Sequence, residues 1–374
     1  MAQNAKGATH PSELRDFEDE QTRTHIYQLT DHPSINHNLY FLTSSFTPDQ
    51  QQVVFTSYRS GKPNFYKLRF PDGEILQLTG AENINGYSGI ISKDGQELFY
   101  TQGDTIKALQ LESLEERTLE KFGGGGLGEC SLSSDEQSIV TAMKRDSKSY
   151  ITITATDGSG GHVIHTSADQ AIIHPQFHPK HPDLIAYSGD PAPRMWTIHR
   201  DGTENRSLYQ HGNNEFLVHE TFLGDKEEMV VTHWPYALRH ISFETLAMRT
   251  IAAFNAWHIA SNCAGTKVLC DTVHPDIGLR LVDVETGVHQ PICYPQSSCQ
   301  GSQWETDCYA LAPDWAAAQA ADREKTLSWM EMKVDTVYGP QWTHPHPSFS
   351  PDEKMVVYTS DVSGHSQVYV AIIS

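Results

Sequence analysis

The sequence predicts an all-β protein, a seven-bladed β-propeller with a small helical insertion before or within the last blade. Three observations carry this. A strand–turn–strand unit recurs along the chain. Most copies are spaced by about 40–45 residues, the length of one four-stranded blade. Both termini hold β-prone segments that need partners, as closure of a ring requires.

The copies are SFTPDQQQVVFTS (45–57), ISKDGQELFYT (91–101), LSSDEQSIVTA (132–142), FHPKHPDLIAYS (177–188), FLGDKEEMVVTH (222–233), SNCAGTKVLCDT (261–272) and SFSPDEKMVVYTS (348–360). Several join two strands through a Pro-Asp or Asp-Gly turn followed by β-branched and aromatic residues. THIYQLT (24–30) resembles the outer-strand segment EILQLTG (74–80) and is expected to complete blade seven, with HSQVYVAII (365–373) as that blade's third strand. Residues 1–23 then form an N-terminal extension, and 24–374 a single domain. The last interval is about twice the others and holds an insertion, 289–340. Within it LAPDWAAAQAADREKTLSWMEM (311–332) is Ala-rich, with Leu, Trp and Met at helical spacing, and reads as a helix. A two-sheet protein with a helical insert would explain the strands but not the period.

Composition narrows the function. The 27 Lys and Arg against 47 Asp and Glu give a net charge of −20, which argues against nucleic-acid binding and against electrostatic attachment to a membrane surface. An anionic small substrate stays open, because one metal or arginine can reverse the field in a cleft. No segment has the apolar length of a membrane span, and the N-terminus lacks a signal-peptide core. The 6 cysteines show no Cys-x-x-Cys spacing. A reducing cytoplasm and a monomer or weak homo-oligomer are expected.

In a blade the innermost strand leaves one face of the ring and the second strand returns to it. Residues before the first strand and in the loop after the second therefore share a mouth. His174, His219 and His346 each stand three residues before a blade's Phe, at 177, 222 and 349. His344 points the same way as His346 along extended chain. The loops after second strands bring Arg59, Arg194 and His274. The sharpest constellation is GPQWTHPHPSFSPD (339–352): Gln341, His344 and His346 offer an amide oxygen and two imidazoles on backbone stiffened by Pro345 and Pro347. His274 in the neighbouring blade could complete three nitrogens and one oxygen, a set suited to Mn, Ni, Zn or Fe. With 20 histidines in the chain, an incidental His-x-His is the competing explanation. His219 ionises in the range of a general base, and Arg194 can clamp a carboxylate. Each could equally be a hydrogen-bonded strand residue or a salt bridge. Arg59, His37, Tyr40 and His174 are the candidate substrate contacts, while no reaction step is assigned to His174 or His258. The glycines of KFGGGGLGE (121–129) lack the context of a phosphate loop and read as an inter-blade connection.

The segments HNLYFLTSSFTPD, SYRSGKPNFY, HPQFHP, PRMWTIHRDGTENR, the VHE around His219, CDTVHPDIG and QWTHPHPSFSPD together resemble the oligogalacturonate lyase family along nearly the whole chain. The blade turns alone also occur in TolB-like propellers. The resemblance implies a manganese ion held by three histidines and a glutamine, which fall on His274, His344, His346 and Gln341. It also implies β-elimination on a small anionic oligosaccharide, with His219 as base and Arg194 as the essential arginine. Elimination on another uronate-containing oligosaccharide, and a non-catalytic TolB-like binding propeller, are the alternatives.

Overall fold

A computed structural model describes residues 5–212, 215–300 and 339–373. It contains seven antiparallel sheets, five of four strands and two of five, arranged as the blades of a propeller. The inner strands are Asn36–Asn38, Ile90–Ile91, Gly126–Leu132, Ala171–Phe177, Leu217–Phe222, Ala256–Ser261 and Ser348–Phe349, in blades 1 to 7. Between each pair of neighbouring blades lies a separate apolar cluster, such as Leu223, Val230, Ile259 and Val268 between blades 5 and 6. The core is thus a ring of interfaces rather than one central mass.

The repeat has a concrete turn chemistry. In blades 1, 2, 3 and 7 a hydroxyl donates to the carboxylate two residues on: Thr47 to Asp49, Ser92 to Asp94, Ser133 to Asp135 and Ser350 to Asp352, at 2.5–2.7 Å. The same carboxylate oxygen accepts the backbone N–H of Gln51, Gln96, Gln137 or Lys354. This closure sets the register of the two strands from residues within one short segment.

The ring closes as the sequence suggests. His25–Gln28 pairs with the C-terminal strand Gln367–Ile372, which pairs with Met355–Ser360. The segment before it is woven into the ring as well. Thr9–His10 pairs with Ile75–Gln77 as a fifth strand of blade 1, and Arg15–Glu18 pairs with His25–Gln28 as a fifth strand of blade 7. His289–Cys293, at the start of the expected insertion, is the fourth strand of blade 6. The helix expected over 311–332 lies outside the described residues. Among the described residues the helical element is a 3-10 turn, Gln341–Thr343, just ahead of the last inner strand.

Blade 1 departs from the others. Asn38 pairs with Phe55, and Phe46 next pairs with Val53, so the residues between leave the sheet. Ser45 pins the base of this excursion, its hydroxyl accepting the Leu39 N–H at 2.9 Å and its carbonyl the Val54 N–H at 2.8 Å. Tyr40 and Phe41 are thereby carried inward, and both are buried.

Candidate functional site

The inner strands of blades 4, 5 and 6 contain a bulge. Pairing steps from Ile173–Ser188 to Gln176–Ala186, from Val218–Thr232 to Thr221–Val230, and from Ala256–Thr272 to Ile259–Cys270. The extra residue re-aims a side chain, and each bulge contains a histidine: His174, His219 or His258. In blade 7 the equivalent position is His346. His174, His219 and His346 take φ of 49°, 57° and 45°, left-handed backbone that costs on the order of 1 kcal/mol each. Four consecutive blades therefore spend backbone strain or a bulge to aim imidazoles at one place.

They meet around Phe41. Its ring centroid lies 5.2 Å from His258, 5.6 Å from His219, 6.0 Å from His346 and 6.4 Å from His174. His258 stands 4.3 Å from His219 and 3.8 Å from His346, and 5.4 Å from His344. The Tyr40 hydroxyl donates to His174 Nε2 at 2.8 Å. His37 stacks on Tyr87 at 4.2 Å, with Nδ1 on the Asn38 carbonyl at 2.9 Å. His37, Tyr40 and His174 thus belong to the wall of this group.

Burial sets the protonation. It drives His37 and His174 down to about 4, and His219 and His258 well below the usual histidine range, where neighbouring imidazoles add to the effect. Burial therefore favours the neutral form of His219. Its Nδ1, and Nε2 of His346, are buried with no hydrogen-bond partner among the described residues, and the Trp257 ring meets His219 edge-on at 4.5 Å.

Arg194 sits beside this group in a buried ionic cluster. Its Nε donates to Glu220 Oε1 at 2.8 Å and its Nη1 to Asp190 Oδ1 at 3.1 Å. Ser188 donates to Glu220 Oε2 at 2.6 Å. Burial opposes ionisation of Glu220, yet the Arg194 charge and these hydrogen bonds hold its carboxyl down at about 2. Asp190, where burial wins, is raised to about 6. Glu220 follows His219 in the chain, so Arg194 anchors the residue next to the base candidate.

Arg59 has a different role. Its side chain donates to Ser57, twice to Glu13 at 3.0 and 3.2 Å, and to Asn36, and lies over Tyr66. It ties the N-terminal segment to blade 1, its hydrogen bonds going to Ser57, Glu13 and Asn36 rather than to the histidine group.

Of the candidate ligands, His344 and His346 are buried, with ring centroids 6.0 Å apart. Gln341 lies half-buried in the preceding 3-10 turn, its carbonyl accepting the His344 N–H at 3.1 Å. His274 is exposed on the rim of blade 6. Among the described residues no three His, Cys, Asp or Glu side chains form a ready metal cage. The donors nevertheless fit a borderline or hard divalent ion: imidazole nitrogens, one of them buried and unpartnered, with an amide oxygen and no thiolate.

Comparison with known proteins decides the family. The model of the family described as oligogalacturonate lyase matches residues 4–152 and 150–374. The chain belongs to the oligogalacturonate lyase family. It is 24% identical to the oligogalacturonide lyase of Pectobacterium atrosepticum and 22% identical to the oligogalacturonate lyase of Dickeya dadantii, each over 98% of both chains. A solved oligogalacturonate lyase in complex with manganese shares the fold, with TM-score 0.81 at 22% identity over 99% of this chain and 98% of that one.

In this family member the sequence reading gave His258 no role and overlooked three residues: Asp271, Glu220 and Phe41. His258 had a signal, since Ser261 occupies the position of Phe177 and Phe222, and His258 stands three residues before it. Asp271 had one too, a carboxylate at the blade position held elsewhere by Thr56, Thr101, Thr232 and Thr359; Glu220 and Phe41 had none, because their partners come from other strands.

Proposed function

We propose that this chain cleaves short oligogalacturonides, the unsaturated digalacturonate above all, by metal-assisted β-elimination, yielding a 5-dehydro-4-deoxy-glucuronate-type product. The observation that carries this is His219: a buried, neutral imidazole with an unpartnered nitrogen, aimed by a strained bulge into a group of histidines. A core histidine that only fills space has no reason to occupy left-handed backbone. The family membership supports the substrate class.

The C5 proton of a uronate is hard to remove while the adjacent carboxylate carries its full charge. A divalent ion held by His274, Gln341, His344 and His346 would offset that charge as a Lewis acid. His219, neutral, accepts the C5 proton. The electrons of that C–H bond become the C4–C5 double bond as the C4–O bond breaks, and the leaving oxygen takes a proton from water or from His219. Arg194 acts through its ion pair with Glu220, which fixes the strand that presents His219, its charge being balanced there by Glu220 and Asp190.

The test is a mass-spectrometric product assay on digalacturonate and its 4,5-unsaturated form, with chelated protein, with and without added Mn2+. Manganese-dependent formation of the deoxy-keto monosaccharide supports the reading. Folded, metal-loaded protein that converts neither substrate would refute it.

A further inference from the structure

Asp271 is a carboxylate where the other blades place a small side chain. It lies in the second strand of blade 6, Lys267–Thr272, three residues after Val268, which pairs with Ser261. The corresponding residues are Thr56, Thr101, Ala142, Ser188, Thr232 and Thr359. Several of these hydroxyls reach the next blade: Thr56 donates to the Gly86 carbonyl at 2.6 Å, Thr101 to that of Gly128 at 3.1 Å and Thr232 to that of Trp257 at 3.0 Å. A threonine is therefore sufficient to stitch neighbouring blades. Asp271, fully buried, does more. It accepts the His258 backbone N–H at 2.6 Å, His258 Nδ1–H at 2.8 Å and the His346 backbone N–H at 3.3 Å.

We propose that Asp271 is a positioning residue for the ion-binding and elimination site, holding the His258 ring and the His346 backbone on one carboxylate. With Nδ1–H given to Asp271, His258 keeps its Nε2 lone pair and a fixed ring plane between His219 and His346. The His346 N–H bond fixes the segment that carries two candidate ligands, His344 and His346, just ahead of the strand Ser348–Phe349. Carboxylate–imidazole pairs of this kind orient the groups around metal sites, and their loss commonly weakens ion affinity 10–100-fold. The inference rests on the function proposed above for its link to turnover, but not for its link to ion binding.

The experiment replaces Asp271 by Thr, the residue other blades use, and separately by Asn. Mn2+ affinity of the chelated full-length proteins is measured by calorimetry, and kcat and KM on unsaturated digalacturonate alongside. The expected result is Mn2+ binding weakened about 10–100-fold, with kcat falling and KM little changed. If Asp271→Thr does not fold, Asp271→Asn carries the same readout. Variants that bind Mn2+ and turn over as the wild type does would overturn the proposal. Wild-type protein that binds Mn2+ but converts no uronide sinks the function reading alone, and the affinity comparison still judges Asp271. Wild-type protein that binds no Mn2+ overturns both.

Discussion

Replacing Arg194 by Met tests whether the buried ionic cluster holds the site together. The Arg194, Glu220 and Asp190 side chains are 4%, 0% and 6% exposed. Removing the guanidinium leaves Glu220 with the Ser188 hydroxyl, and deprives Asp190 of the donor to Oδ1 while Oδ2 has no hydrogen-bond partner among the described residues. Stranding a buried charge in this way costs about 3–5 kcal/mol. The prediction is a loss of that size in urea unfolding at pH 7.5, followed by tryptophan fluorescence. Arg194→Lys, which keeps the charge and loses the planar fork, falls between the two. Activity is compared well below the variant's melting temperature, so that a catalytic contribution is separated from unfolding. A Met variant within about 0.5 kcal/mol of wild type, the ordinary scatter of surface changes, would refute the argument.

The same cluster predicts a pH dependence with two limbs. Asp190 has its folded pKa raised to about 6, so stability rises as pH falls from 6 toward the unfolded value, and Asp190→Asn should flatten that limb in pH-dependent denaturation. Glu220 has its folded pKa depressed from 4.5 to about 2, worth about 3 kcal/mol above pH 5 and lost as pH falls through 2. His219→Ala should lower turnover by about 10²–10⁴-fold with Mn2+ content unchanged by elemental analysis; wild-type turnover would remove His219 as the base. His344→Ala should lose bound Mn2+ in the same measurement, and unchanged content would refute its place among the ligands. Tyr40→Phe leaves His174 Nε2 unsatisfied in the interior and should cost about 1–3 kcal/mol in thermal or urea unfolding.

The sequence by itself determined the ring. Turn chemistry is local: a hydroxyl, a carboxylate two residues on and a backbone N–H lie within one short segment, so the pattern that forms each hairpin is visible at a fixed period. Closure was legible for the same reason, because THIYQLT carries the alternation of an outer strand. Aligning the blades also put His174, His219 and His346 at one register position, and His344 with them. What tertiary structure decided is which of these side chains are free to act and which are already engaged. Arg59 and Arg194 are alike as loop arginines, yet Glu13, 46 residues from Arg59, takes the first, while Glu220 and Asp190 enclose the second. Asp271 stands out as a carboxylate among the threonines of the blade alignment, but its partners become visible only when the bulge of its own blade and the backbone of the next bring His258 and His346 to it. Phe41 reads as core until the blade 1 excursion sets it among four histidines. Such roles depend on burial and on partners from distant strands. Only the closed ring, by excluding water and bringing the inner strands around one axis, assigns them.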